Sequence, residues 1–294
     1  MEVYSTLIAN PIGSLAYFFL ILTFLSLWIN RKIWIWLPLF AVSFTLGYFG
    51  GIVELKALIP IGILFVCHAF LTREIGSFWR LFIVMIAAII SISMFTHFMK
   101  GFYNIKLLSD WQFSADALPI NLYLNFDKPM IALFILTFTL PLITTKKQLL
   151  NMLYITLPWA ILTIVLTLGI GSWLHVINFD LKFPMITFIW LVIQLFFVVI
   201  PEEVFFRGFL QKEITLDLNN KASGILAIIV VSLLYALLHL LWIPDLTLFF
   251  GVFILGIFYG GIYLITDRIE SSILVHYLFN IAHFFFFTYP ILSS

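Results

Sequence analysis

Uninterrupted apolar runs recur along the whole of this chain, and they constrain its fold more than any other feature. The sixteen residues Met185 to Ile200, for example, contain no charged side chain. Of the 294 residues 63% are hydrophobic and 10% charged, whereas a soluble domain is about half apolar and about a quarter charged. A membrane-crossing helix needs ~20 consecutive apolar residues. A membrane β-barrel would instead show ~10-residue segments of alternating polarity. The runs are continuous, so the reading is an all-α, polytopic transmembrane helical bundle. Apolar segments lie near 12–30, 33–53, 57–71, 80–99, 130–144, 150–174, 185–206, 223–243, 247–266 and 271–291. The third and fifth are short enough to be partial spans, which gives about 8–10 membrane segments. The N-terminus lacks the basic stretch of a cleavable signal, so the first run is expected to remain as a span.

The formal net charge of +1 offers nothing to a nucleic-acid backbone, so no nucleic-acid partner is expected. The single cysteine, Cys67, excludes an intrachain disulfide and a cysteine-rich zinc site. The longest polar stretch, Lys100 to Pro129, divides the chain. It reads as a loop with an interfacial part. Residues 1–124 are expected to supply N-terminal transmembrane helices of unassigned role, and 125–294 a core that carries the chemistry in the C-terminal half.

That chemistry is signalled by ionisable groups inside apolar runs, which are costly at membrane depth and mark function or a paired structural site. Pro201-Glu202-Glu203-Val204-Phe205-Phe206-Arg207 sets two carboxylates and a guanidinium in one such run. At α-helical spacing Glu203 and Arg207 share a face while Glu202 points elsewhere. Arg207 then offsets Glu203 and leaves Glu202 for chemistry. Two glutamates at a helix end, with Arg207 reaching the interface, is the competing structural reading. His239 lies late in a span, one turn after Tyr235, which can hydrogen-bond the imidazole or pack beside it. A lone histidine there is more often structural. His276 and Asn280, four apart, share a face; His283 reads as an interfacial residue. A carboxylate, two imidazoles and an amide on three successive segments suit water-assisted hydrolysis. Glu202 can act as general base, the imidazoles can polarise water, stabilise an oxyanion or bind metal, and Asn280 can donate to an oxyanion. Glu202, His239 and His276 also form a donor set for Zn²⁺ with an open water position. There is neither a helix-borne HExxH nor a GxSxG elbow.

The three pieces resemble the CPBP family of intramembrane proteases, which includes the type II CAAX prenyl endopeptidases and the bacterial Abi-type proteins. The family pattern is Glu-Glu-x-x-x-Arg, then Phe-x-x-x-His, then His-x-x-x-Asn/Asp, on successive membrane helices. Here it reads Glu202-Glu203-Val-Phe-Phe-Arg207, Tyr235-Ala-Leu-Leu-His239 and His276-Tyr-Leu-Phe-Asn280. Tyr235 stands where the family usually has Phe. Asn125-Phe126-Asp127-Lys128-Pro129 is similar to a stretch upstream in bacterial members. The resemblance covers roughly residues 125–285 and implies an endopeptidase acting on membrane-associated or lipidated peptide or protein substrates. It implies that Glu202 activates water, that His239, His276 and Asn280 complete the site, and that Glu203 and Arg207 support it. It leaves both a metalloprotease and a metal-free glutamate mechanism open. The bilayer and a peptide substrate are the expected partners, and a bacterial cytoplasmic membrane the expected location. Two other readings compete: a proton-coupled transporter, whose buried Glu and His relay protons, and a non-catalytic immunity or adaptor protein of the same fold.

Overall fold

A computed structural model describes residues 2–218 and 221–293. The architecture is helical, as the apolar runs require. Among the described residues seven helices are long and apolar enough to cross a membrane, and Ile33–Phe49 and Leu55–Leu71 are shorter apolar helices. Their outward faces are apolar too, with Ile161 and Val165 exposed, which suits lipid as the surrounding solvent. The chain clusters into two compact units. One comprises Met1–Ser109, Asn121–Thr144 and Phe196–Phe205; the other comprises Asp110–Ile120, Thr145–Leu195 and Phe206–Ser294.

The first unit contains α1 (Glu2–Ala9), α2 (Pro11–Ile29), α3 (Ile33–Phe49), α4 (Leu58–Leu71) and α5 (Ser77–Phe95). It also holds α6 (Asp127–Phe138) and α9 (Ile200–Glu203). Helix α2 begins at an Asn10 cap, whose side chain accepts from Gly13 N–H at 2.9 Å, with Pro11 in the first turn, where its missing N–H costs nothing. Helix α6 is the fifth apolar run of the sequence. At 12 residues it is ~18 Å long, too short to span. Residues Asp127 to Leu136 are all buried, with α2, α4, α5 and α9 packed around the helix.

The stretch 100–129, read from the sequence as a loop, contains a two-stranded sheet of β1 (Ile105–Trp111) and β2 (Ile120–Leu124). The signal was present in β2. Leu122 and Leu124 are buried and Asn121 and Tyr123 exposed, the period-two pattern of a strand with one covered face. Tyr17 of α2 donates its hydroxyl to the Leu124 carbonyl at 2.6 Å and so ties the strand to the helices.

The second unit contains α7 (Lys146–Trp173), α8 (Thr187–Ile193), α10 (Lys212–Leu218), α11 (Lys221–Leu240), α12 (Leu246–Thr266) and α13 (Ile269–Phe286). Helix α7 opens on a Thr145/Gln148 capping box, which satisfies two orphan N–H groups. Helix α12 opens on Asp245, which accepts from Leu248 N–H at 2.8 Å. Helix α12 packs on α7, α11 and α13, and α13 on α7. Glycines permit the closest of these approaches. A Cβ on Gly256 would lie 2.8 Å from Ser232 Cβ of α11, and one on Gly260 would lie 2.8 Å from Gln211 Oε1. Small residues one turn apart let helices meet at backbone distance.

Candidate active site

Between α8 and α10 the chain is helical but not uniformly α. Gln194–Val199 and Val204–Gln211 are π-helical and flank the short α9. Pro201 supplies one cause. It has no N–H for the carbonyl four residues earlier, and its ring crowds that carbonyl, so a wider turn relieves the conflict. π-Helical insertions are rare and recur at functional sites. The stretch Thr187–Leu216 is also the most buried of the seven long apolar helices, at 61%, against 22% for both α5 and α7. The face assignment for Glu203 and Arg207 used the α period, and a π turn closes on the fifth residue instead of the fourth.

The candidate residues fall in two groups. Glu202 and Glu203 belong to the first unit, and Arg207, Tyr235, His239, His276 and Asn280 to the second.

In the first unit Glu202 is 4% and Glu203 0% exposed. Helix α9, which carries both, packs on α6, and α6 brings an ammonium. Lys128 is buried and interacts electrostatically with Glu202 and, second, with Asp127. Its Nζ also lies 5.9 Å over the Phe95 ring, and Phe95 packs on Phe205 at 5.3 Å. The buried Asp127 is itself held by polar groups. His97 Nδ1 lies 2.6 Å from Oδ2, Asn104 Nδ2 donates to Oδ1 at 3.2 Å, and Lys128 N–H donates to Oδ1 at 2.9 Å. Asn104 Oδ1 in turn accepts from Phe126 N–H at 2.8 Å. His97 reaches Asp127 from a left-handed backbone (φ 58°) just beyond α5, a conformation that costs a non-glycine residue ~1 kcal/mol.

In the second unit aromatic rings hold the ionisable groups. The Arg207 guanidinium lies 4.6 Å from the Tyr235 ring centre, 5.3 Å from Tyr259 and 5.7 Å from Phe206. Its Nη2 donates to the Gly256 carbonyl at 3.2 Å, and Gln211 Nε2 donates to the Gly260 carbonyl at 2.9 Å. Thus the glycines that allow close packing also present their carbonyls to this segment. His239 Nδ1 lies 2.8 Å from the Tyr235 carbonyl. A carbonyl only accepts, so Nδ1 carries the proton of that bond. The His239 ring meets Tyr235 edge-on at 4.4 Å. His276, 4% exposed, stacks on Tyr259 at 4.6 Å with the planes 15° apart. Asn280 Nδ2 donates to Gln194 Oε1 at 3.0 Å, which occupies one of its two N–H groups. His283 Nε2 lies 3.1 Å from the Thr288 carbonyl, a structural placement.

Residues 184–282 match the family model of the type II CAAX prenyl endopeptidase, Rce1-like. That region of the chain is therefore similar to CAAX-type proteases, the group its motifs resemble. The match contains Glu202, Glu203, Arg207, Tyr235, His239, His276 and Asn280. Neither a curated protein nor a solved structure gave a match. With seven helices long and apolar enough to cross a membrane among the described residues, the protein is an integral, multi-pass membrane protein.

Four residues in and around the matched region carry no distinct signal of their own in the sequence. Lys128 was quoted only as part of a resemblance, and its proximity to Glu202 depends on the packing of α6 against α9. Gln194 was one polar residue in an apolar run, a signal of the same kind as His239. Tyr259 and Gly256 carried no distinguishing signal among many aromatics and glycines. Within either unit, no three described His, Cys, Asp or Glu side chains are grouped to hold a metal ion; Glu202, His239 and His276 draw on both units. A cavity of about 330 Å³ near the start of α12, lined by Thr167, Ile170, Leu246 and Phe250 among others, contains none of the candidate residues.

Proposed function

We propose that the protein is an intramembrane endopeptidase that hydrolyses peptide bonds of membrane-associated or lipidated substrates, with Glu202 as the general base. The observation that carries this reading is the Rce1-like match over 184–282, which contains the ordered motifs and a glutamate buried within an apolar span. The core is taken as residues 125–294 and the location as a bacterial cytoplasmic membrane.

In this reading Glu202 removes a proton from water as the oxygen attacks the scissile carbonyl. The tetrahedral oxyanion is met by the second N–H of Asn280, whose first is held by Gln194, and by the His276 imidazole. Collapse breaks the C–N bond, and protonated Glu202 returns its proton to the leaving amine, so water and proton balance. His239, with Nδ1 fixed by a carbonyl, offers the Nε2 lone pair to the water. A zinc ion, if bound by the imidazoles and Glu202, would supply Lewis-acid polarisation of that water. Lys128 supplies a counter-charge to the Glu202 carboxylate.

The test is a cleavage assay on the purified full chain in lipid nanodiscs. One substrate is a peptide with a prenylated cysteine and the other an unlipidated membrane-anchored peptide, each tried with and without chelator. Cleavage lost in both Glu202→Gln and His239→Ala, with folding intact, supports the reading. Equal activity in wild type and both variants overturns it. The chelator arm separates metal-bound water from water activated by Glu202 alone, and the two substrates separate prenyl-dependent from general recognition.

A further inference from the structure

Helix α12 carries no motif residue, yet one of its faces meets both Arg207 and His276. Gly256, Tyr259 and Gly260 recur at three- and four-residue spacing, which aligns them on one face. The Gly256 carbonyl accepts from Arg207. Tyr259, next along that face and 1% exposed, presents its ring to both groups. His276 stacks on it at 4.6 Å with the planes 15° apart, and the Arg207 guanidinium lies 5.3 Å from its centre. Helix α13 is fastened at the same level, because Ser272, one turn before His276, donates its hydroxyl to the Tyr259 carbonyl at 3.1 Å.

The arrangement has a counterpart on the other imidazole. Arg207 lies 4.6 Å from the Tyr235 ring, and Tyr235 meets His239 edge-on at 4.4 Å. One guanidinium therefore contacts two tyrosine rings; Tyr259 stacks on His276, and Tyr235 meets His239 at 4.4 Å and, more distantly, the edge of His276 at 6.4 Å. A cation over a ring face is attracted by the ring quadrupole, and parallel ring contact adds dispersion over a large area. Both nitrogens of an imidazole act in the plane of its ring. A neighbour that fixes that plane therefore fixes the directions in which the nitrogens can donate or accept.

We infer that Tyr259 is a positioning residue that fixes the ring plane of His276 and couples it, through the shared Arg207, to Tyr235 and His239. The effect on catalysis rests on the endopeptidase reading; the effect on His276 packing does not. The aromatic face does the positioning, so phenylalanine suffices at this site and an aliphatic side chain does not.

The experiment uses the full chain in nanodiscs with Tyr259→Phe and Tyr259→Leu. Two quantities are measured: kcat and KM for peptide cleavage, and the rate at which diethyl pyrocarbonate modifies His276, read peptide by peptide with His283 as internal control. Tyr259→Phe is expected to keep wild-type kcat and labelling. Tyr259→Leu is expected to lower kcat by ~30–100-fold with KM unchanged, the scale of a small misplacement of a reacting group, and to label faster at His276 alone. Should the Leu variant fail to accumulate, Tyr259→Met, flexible and of similar bulk, carries the same readouts. Wild-type kcat and unchanged His276 labelling in the aliphatic variant would overturn the inference, as would a Phe variant as impaired as the Leu one. If the wild type cleaves neither peptide, the endopeptidase reading fails and the labelling arm alone decides: faster labelling supports the positioning role, and unchanged labelling rejects it.

Discussion

The two units bury ionisable groups by different physics. Beside Glu202 stands the charge of Lys128, which also faces Asp127, itself held by His97 and Asn104. Around His239 and His276 the neighbours are aromatic rings and a backbone carbonyl: the Tyr235 ring and carbonyl and the Tyr259 ring. A carboxylate removed from water needs a counter-charge, because a buried unpaired ion costs several kcal/mol. An imidazole can be buried neutral, so it needs only a donor or acceptor and a surface that sets its plane. The contrast teaches that the carboxylate group will respond to charge deletion, and the imidazole group to changes of shape.

The largest effect expected from that contrast is on turnover. Glu202→Gln keeps the shape and removes the proposed base, and kcat should fall by ~10²–10⁴-fold, with a smaller loss of stability than a Lys128 deletion because Asp127 still faces the Lys128 ammonium. Asn280→Ala, which deletes the proposed oxyanion donor, should cost ~10²–10³-fold in kcat, measured on the same peptide. Charge deletion comes next. Lys128→Met leaves Glu202 buried without its ammonium and should destabilise the protein by about 3 kcal/mol in a denaturation series. Adding Glu202→Gln should return most of that loss, and a double variant no more stable than Lys128→Met would break the charge-pair account. Shape is tested by two glycines of α12. Gly256→Ala forces its Cβ against Ser232 and should cost ~1–3 kcal/mol by overpacking. Gly251→Ala meets nothing within 4 Å and should gain ~0.5–1 kcal/mol from helix propensity.

The smallest effect is expected at the Asp180–Lys182 pair of the imidazole unit. Burial opposes the Asp180 carboxylate, but the Ser114 hydroxyl and Lys182 outweigh it and hold its carboxyl below the ordinary range. Lys182 Nζ lies 3.1 Å away. A depressed native value contributes stability above the ordinary carboxyl range, and that contribution is lost as pH falls through the native value. Asp180→Asn should therefore remove no more than ~1 kcal/mol at neutral pH and nothing at a pH where Asp180 is already protonated.

Much of the helical architecture was legible because an apolar run of span length has few alternatives in a bilayer. The helical segments Leu246–Thr266 and Ile269–Phe286 lie within a few residues of the runs that announced them. The Glu202–Arg207 cluster was legible as charge in an apolar setting. What could not be read locally depends on partners distant in sequence. Nothing near Lys128 says that α9 will pack on α6, and nothing in Phe-Tyr-Gly-Gly singles out Tyr259 as the ring that meets Arg207 and His276. The π-helical stretches were missed because the face assignment assumed one helical period throughout. The short sheet was missed because a polar stretch between spans was read by composition and not by its alternation.

Helix α6 also bears on how this protein is made. It is sheathed by α2, α4, α5 and α9 and opens on the buried Asp127 and Lys128. A 12-residue segment led by two charges is a poor substrate for insertion on hydrophobicity alone. Its counter-charge, Glu202, is synthesised long after it. The last neighbour to cover α6 is therefore the glutamate motif of α9, so the first unit is closed by a segment made some seventy residues after the helix it covers.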